Sequence, residues 1–225
     1  MRSTWRTLDP ELLRDVSAVA AGAAVSGASF GAISTSAGMS WWLPVVMSLL
    51  VFAGGSQFMA VGVVAAGGSP AAAVVAGLLL NVRHLPFGLA IGDVLGKGLL
   101  QRLVGSHLLI DETTAFALAQ PDPRKAKTAY WLCGVTLFVA WNVSVVAGAL
   151  IGRNIGDPSA FGLDAVFPAA LLALLLPALK DAATRNAALL GAAVALAATP
   201  FLPAGVPVLC AVLGLLITAR QKVPA

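Results

Sequence analysis

Eight apolar stretches run along the chain, at 16–37, 41–66, 70–92, 103–120, 128–151, 163–179, 186–200 and 203–219. A helix crosses the hydrocarbon core of a bilayer with about 17–25 such residues, and most of these stretches reach that length. The joints between them carry helix breakers: Gly38-Met39-Ser40, Gly67-Gly68-Ser69-Pro70, Gln120-Pro121-Asp122-Pro123-Arg124-Lys125, Asp157-Pro158-Ser159 and Thr199-Pro200. The pattern predicts an all-α, polytopic membrane bundle of seven or eight segments, some of them discontinuous. Residues 1–15, with Asp9, Pro10, Glu11 and Asp15, form a polar cytoplasmic lead, and 16–225 form a single transmembrane domain. The first apolar run is expected to stay as an anchor, because what precedes it does not read as a cleaved signal.

Composition agrees with the pattern and excludes its rivals. Of 225 residues, 59% are hydrophobic and 11% charged, against about 45–50% and 25% for a soluble domain. Disorder needs the opposite balance. The net charge of +4 comes from basic residues scattered in ones to threes, which argues against a nucleic-acid partner and for charges that set topology. Cys133 and Cys210 both lie in apolar stretches and imply no disulfide framework and no metal site.

The fourth stretch, 103–120, holds His107, Asp111, Glu112, Thr113 and Thr114 and reads either as a span or as a surface segment. The positive-inside rule separates these. With 103–120 crossing and the N-terminus cytoplasmic, 10 Lys/Arg fall inside and 3 outside, with Arg83 intramembrane. Without that crossing the best division is 9 to 4. Eight spans with both termini cytoplasmic therefore fit best. Trp41, Trp42, Tyr130 and Trp131 fall at expected interfaces, whereas Trp141 lies deep in its span and reads first as core or lipid packing.

The residues a bilayer should reject carry the chemistry, since a central charge costs about 2.5–3.5 kcal/mol on insertion scales. Arg83, beside Asn81 and His84, lies in the third stretch, and Asp111 and Glu112 lie in the middle of the fourth. The second is centred on Gly54-Gly55-Ser56-Gln57 and the first on Ser26-Gly27-Ala28-Ser29-Phe30-Gly31. The later stretches are nearly featureless Ala, Leu and Val, so a site is expected in the N-terminal half. Gly27 and Gly31 read first as a small-residue packing face. Arg83 is expected to neutralise Asp111 or Glu112. His107 and Asp111, four residues apart, would share a helical face, and with His84 they form a weak metal alternative. The paired glycines at 54 and 55 invite unwinding, and a helix broken at the midplane offers N–H groups to an anion and carbonyls to a cation. Ser56 and Gln57 add side-chain donors and acceptors for an amino acid zwitterion.

Phe52-Ala53-Gly54-Gly55-Ser56-Gln57-Phe58, Asn81-Val82-Arg83-His84 and Asp111-Glu112 together resemble the motifs of the AzlC-like branched-chain amino acid permeases, the large subunits of two-component bacterial exporters. Gly27-Ala28-Ser29-Phe30-Gly31 and Leu163-Asp164-Ala165-Val166-Phe167-Pro168-Ala169-Ala170 are similar to the family as well. Leu85-Pro86-Phe87 departs from it, the family having Leu-Tyr or similar after the Arg-His pair. The resemblance implies export of valine, isoleucine and leucine from the bacterial cytoplasm across the inner membrane, with a small AzlD-like membrane subunit as partner. The expected substrate-binding residues are Gly54, Gly55, Ser56, Gln57 and Asn81. Arg83, His84, Asp111 and Glu112 are expected to form the ion pair and proton-coupling group. Neither a cofactor nor an enzymatic activity is expected. The alternatives are a non-transporting structural subunit and an intramembrane metalloenzyme.

Overall fold

The computed structural model describes residues 9–153, 172, 176, 178–203 and 206–214. Among these the secondary structure is helical: α1 (Pro10–Ser36), α2 (Trp42–Leu50), α3 (Gly54–Ala65), α4 (Pro70–Asn81), α5 (His84–Ile91), α6 (Leu99–His107), α7 (Asp111–Leu118), α8 (Pro123–Gly152), α9 (Ala182–Ala198) and α10 (Val206–Cys210). Among the described residues three stretches are long and apolar enough to cross a bilayer: α1, α8 and Pro70–Ile91. The protein is a polytopic helical membrane protein.

Local signals explain where the helices begin and end. Asp9 and Asp122 cap α1 and α8, accepting from Glu11 N and Arg124 N, with Pro10 and Pro123 following in the first turn. The first cap moves the start of α1 to Pro10, so the last residues of the predicted polar lead are helical. Asp181 caps α9 in the same way through Thr184 N at 2.7 Å. After α1, Gly38 takes φ +87°, Gly38 N donates to Thr35 O and Met39 N donates to Ser34 O. After α3, Gly67 takes φ +83°, with Gly67 N donating to Val64 O and Gly68 N to Val63 O. Both are Schellman ends, in which a left-handed residue lets the chain satisfy the last carbonyls.

The chain folds as two compact units, one of 1–54 with 82–163 and one of 55–81 with 164–225. The first is organised by α1 against α8. A Cβ on Gly31 would come within 2.6 Å of Ala149 N, one on Gly148 within 2.8 Å of Ala28 Cα, and one on Gly152 within 2.7 Å of Ala32 Cα. The two backbones thus touch through a seam of glycine and alanine, the arrangement by which helices associate where lipid is as apolar as leucine. Residue numbers rise together along the seam, from Gly27 beside Ser144 to Thr35 beside Gly152, so α1 and α8 run parallel. Hydroxyls inside α1 bond to their own helix, Ser29 to Val25 O and Ser34 to Phe30 O. Tyr130, fully buried on α8, donates to Gly105 O of α6 at 2.6 Å.

In the second unit Val63, Ala73 and Ala76 form a small core joined by Met59, Ala60, Ala72 and Leu209. Gly191 of α9 packs against the Ala211 backbone. Val74, Leu78, Leu189 and Leu196 are exposed on its outer faces, the apolar exterior that lipid tolerates and water would not.

Three predicted spans are interrupted. The stretch 41–66 becomes α2 and α3 with Val51–Ala53 non-helical, 70–92 becomes α4 and α5 with a turn at Val82-Arg83, and 103–120 becomes α6 and α7 parted at 108–110. The first break falls just before Gly54-Gly55 rather than on them. Val51 and Phe52 are weak helix formers, and the Phe52 ring packs against Phe138 of α8 instead of continuing α2. The stretch 186–200 corresponds to α9. Of the stretch 163–179 only residues 172, 176, 178 and 179 are described, so most of it, including the Leu163–Ala170 motif, lies outside the described residues. The end of 203–219 beyond Gly214 lies outside them as well.

Candidate polar sites at the helix breaks

Each polar motif sits where a span restarts. Gly54 opens α3, His84 opens α5 and Asp111 opens α7. A helix start leaves its first N–H groups without intrahelical acceptors and carries a partial positive charge.

In the first unit Arg83, in the turn before α5, places Nη2 2.9 Å from Asp111 Oδ2. Both side chains are about one-third exposed, at 31% and 32%. Arg83 Nε is buried and has no hydrogen-bond partner among the described residues, so part of the guanidinium's donor capacity is unused. Asp111 and Glu112 occupy the first turn of α7, where the helix dipole favours negative charge by about 0.3–1 kcal/mol. The Arg83 guanidinium and the Asp111 carboxylate therefore meet at the α6–α7 break, with Glu112 next to Asp111 in the same helical turn. His84 follows Arg83 directly, with its ring 6.0 Å from Phe87.

The break itself is built by Thr113. Its hydroxyl accepts from Ile110 N at 2.9 Å and lies 3.0 Å from both Leu108 O and Ile110 O, to one of which it donates. Thr114 donates to Ile110 O. These bonds satisfy backbone groups that an interruption inside a membrane would otherwise leave bare. They also correct an expectation. The helix stops between His107 and Asp111, so the two do not share a face as their spacing of four suggested. His107 instead ends α6 and meets Phe138 at 5.6 Å and Phe52 at 6.4 Å. Among the described residues no three His, Cys, Asp or Glu gather as metal ligands. Cys133 is a buried core residue.

In the second unit Gln57 lies in the first turn of α3 and is 1% exposed. Neither its Nε2 nor its Oε1 has a hydrogen-bond partner among the described residues. A buried primary amide left unmatched costs about 1–3 kcal/mol. Ser56, also buried, backs onto Gly77 of α4, with Ser56 O 3.5 Å from where a Cβ on Gly77 would stand. Asn81 ends α4 one turn further on.

Sequence reasoning passed over Asn142, whose Oδ1 accepts from Ser48 Oγ at 2.6 Å and whose Nδ2 donates to Phe138 O. An asparagine in the middle of an apolar span was the available signal. It also treated Thr113 as incidental and did not weigh Phe138, an ordinary aromatic in an apolar run.

Comparison with known proteins places these features in a wider group. A family model described as AzlC protein matches residues 18–155. The branched-chain amino acid transport protein AzlC of Bacillus subtilis (strain 168) is 27% identical over 206 residues, covering 87% of this chain and 78% of its own. The inner membrane protein YgaZ of Escherichia coli (strain K12) is 32% identical over 158 residues, 67% of this chain and 61% of its own. An uncharacterized membrane protein of Archaeoglobus fulgidus is 30% identical over 179 residues, 75% and 74% of the two chains. No solved structure matches. The matched region, 18–155, contains all three helix breaks, the whole of α8 and α1 from residue 18 onward.

Proposed function

The chain belongs to the AzlC family, and we propose that it is a secondary transporter that exports valine, isoleucine, leucine or similar apolar amino acids, coupled to protons. The observation that carries this reading is the Gln57 amide, buried and unmatched in the first turn of a helix that starts within a span. The unused donor and acceptor call for a ligand that supplies both an acceptor and a donor. An α-amino acid zwitterion does so: its carboxylate accepts from Gln57 Nε2 and from the N–H groups of Gly54, Gly55 and Ser56, and its ammonium donates to Gln57 Oε1. Asn81 adds a second amide for the same headgroup.

Arg83 and Asp111 are the coupling pair, assisted by Glu112 and His84. Protonating the carboxylate weakens its hold on Arg83 and frees the guanidinium, so proton occupancy biases the equilibrium between two conformations. Outward direction and a small AzlD-like membrane subunit rest on the family resemblance. The bacterial inner membrane with both termini cytoplasmic rests on that resemblance and on the charge distribution. A name borne by a relative, as in the Bacillus subtilis protein, supports the substrate class for that protein and suggests it for this one.

The test is counterflow of labelled valine in proteoliposomes, with and without the small subunit, across a pH gradient. Gln57→Ala is expected to raise the transport KM about tenfold or more, the value of one hydrogen bond to a charged group, while inserted protein stays constant. Absence of valine, leucine and isoleucine movement by folded protein under every condition would overturn the reading.

A further inference from the structure

Trp141 sits in the middle of α8 and is 7% exposed. Its indole stacks on Phe30 of α1, with ring centroids 6.1 Å apart and planes 25° from parallel. The far edge of the ring lies over Gly54: a Cβ there would stand 2.8 Å from Cη2 and 3.3 Å from Cζ2 and Cζ3. One turn earlier on α8, Phe138 holds Phe52 edge to face at 5.1 Å. Two rings spaced three residues apart on one helix thus grip the non-helical stretch Val51–Ala53 and the residue at which α3 starts. Behind them, the glycine seam packs α8 against α1 backbone to backbone.

The contact changes the meaning of Gly54. Glycine at a helix start usually reads as freedom of the backbone. Here the space a side chain would fill is already taken by indole. We propose that Trp141 is the positioning residue for the substrate carboxylate: its ring, pressed on Gly54, determines where α3 starts and hence where the N–H groups of Gly54 and Gly55 are presented. This inference rests on the transport reading above. It assigns to an apolar ring, with no contact to substrate, control over the affinity for the part of the substrate common to all α-amino acids. Preorganised donors lose their advantage with displacements well below 1 Å, because hydrogen bonds weaken steeply with distance and angle.

Counterflow kinetics on inserted, monodisperse protein test this. Gly54→Ala is expected to raise KM for valine about tenfold with the maximal rate per inserted molecule within about twofold, and Trp141→Phe placed in the Gly54→Ala background is expected to recover most of that loss. Trp141→Phe alone is expected to raise KM for valine, leucine and isoleucine about threefold and in the same proportion, because the carboxylate is shared. A changed rank order among the three would make Trp141 a wall of the side-chain pocket and overturn the proposal. So would an unchanged KM in Gly54→Ala, or activity that falls only in step with inserted protein. If wild-type protein moves no amino acid, the transport reading falls and this one with it. Active wild type with unresponsive variants overturns this inference alone.

Discussion

The α1–α8 pair and the three interrupted spans are made of the same kinds of residue and do opposite things. Gly27, Gly31, Gly148 and Gly152 lie within uninterrupted helices and let two backbones meet. Gly54, one of the same residue type in an equally apolar stretch, marks a helix start. In the pair every polar hydroxyl of Ser29 and Ser34 is returned to its own helix. At the breaks, polar groups are left able to act: among the described residues Arg83 Nε has no acceptor and the Gln57 amide no partner. Glycine inside an unbroken helix brings two backbones together, whereas glycine at a helix start accompanies polar side chains with bonding capacity to spare.

The α1–α8 pair should be the more fragile to volume. Gly148→Leu drives a side chain into the Ala28 backbone, and backbone cannot rotate away as a side chain can. The cost is expected to exceed the ~1–3 kcal/mol of ordinary overpacking, and size-exclusion profiles should show loss of nearly all folded protein. A normal profile would mean that the seam is not what holds α1 to α8.

The breaks should be sensitive to charge rather than volume. Arg83→Ala leaves Asp111 without its partner and is expected to abolish transport while most of the protein still inserts. Adding Asp111→Ala should restore thermal stability toward wild type without restoring transport, because the uncompensated charge is then gone. The pair is one-third exposed, so solvent screening keeps the stability effect moderate. Equal melting temperatures for the single and double variants would sever the ion pair from stability altogether.

The smallest effect is expected at the hydroxyl that shapes a break. Thr113→Val keeps the volume and removes the acceptor for Ile110 N, at about 1 kcal/mol, readable as a lowered melting temperature. Thr113→Ser should retain most of it. If the valine variant is as stable as wild type, the α6–α7 interruption is held by packing alone.

Much of the architecture is legible along the chain because the bilayer imposes it. Runs of apolar residues must span, joints must carry breakers, and Asp-Pro pairs such as Asp9-Pro10 and Asp122-Pro123 announce helix starts by their capping chemistry. The polar residues worth attention are equally legible, since Gln57, Arg83, Asp111 and Glu112 are costly in apolar runs. Their geometry is less so. Periodicity alone puts His107 and Asp111 on one helical face, and Leu108-Leu109-Ile110 carries no Gly or Pro to warn of an interruption. That break exists because Thr113 and Thr114 turn back to bond the backbone of Leu108 and Ile110, an arrangement of side chain and chain that no apolar pattern records.

By itself, then, the sequence determined the helical class, the apolar stretches and the identity of the polar groups, all of them one-dimensional consequences of solvation in lipid. Tertiary structure alone decided where the spans break, which carboxylate Arg83 takes, and that an indole fills the space beside Gly54. Those depend on which side chains meet across helices far apart in the chain, as Arg83 meets Asp111 and Gly54 meets Trp141. The cost of an unsatisfied backbone or charge is known from each residue, but its remedy comes from a neighbour that only folding supplies.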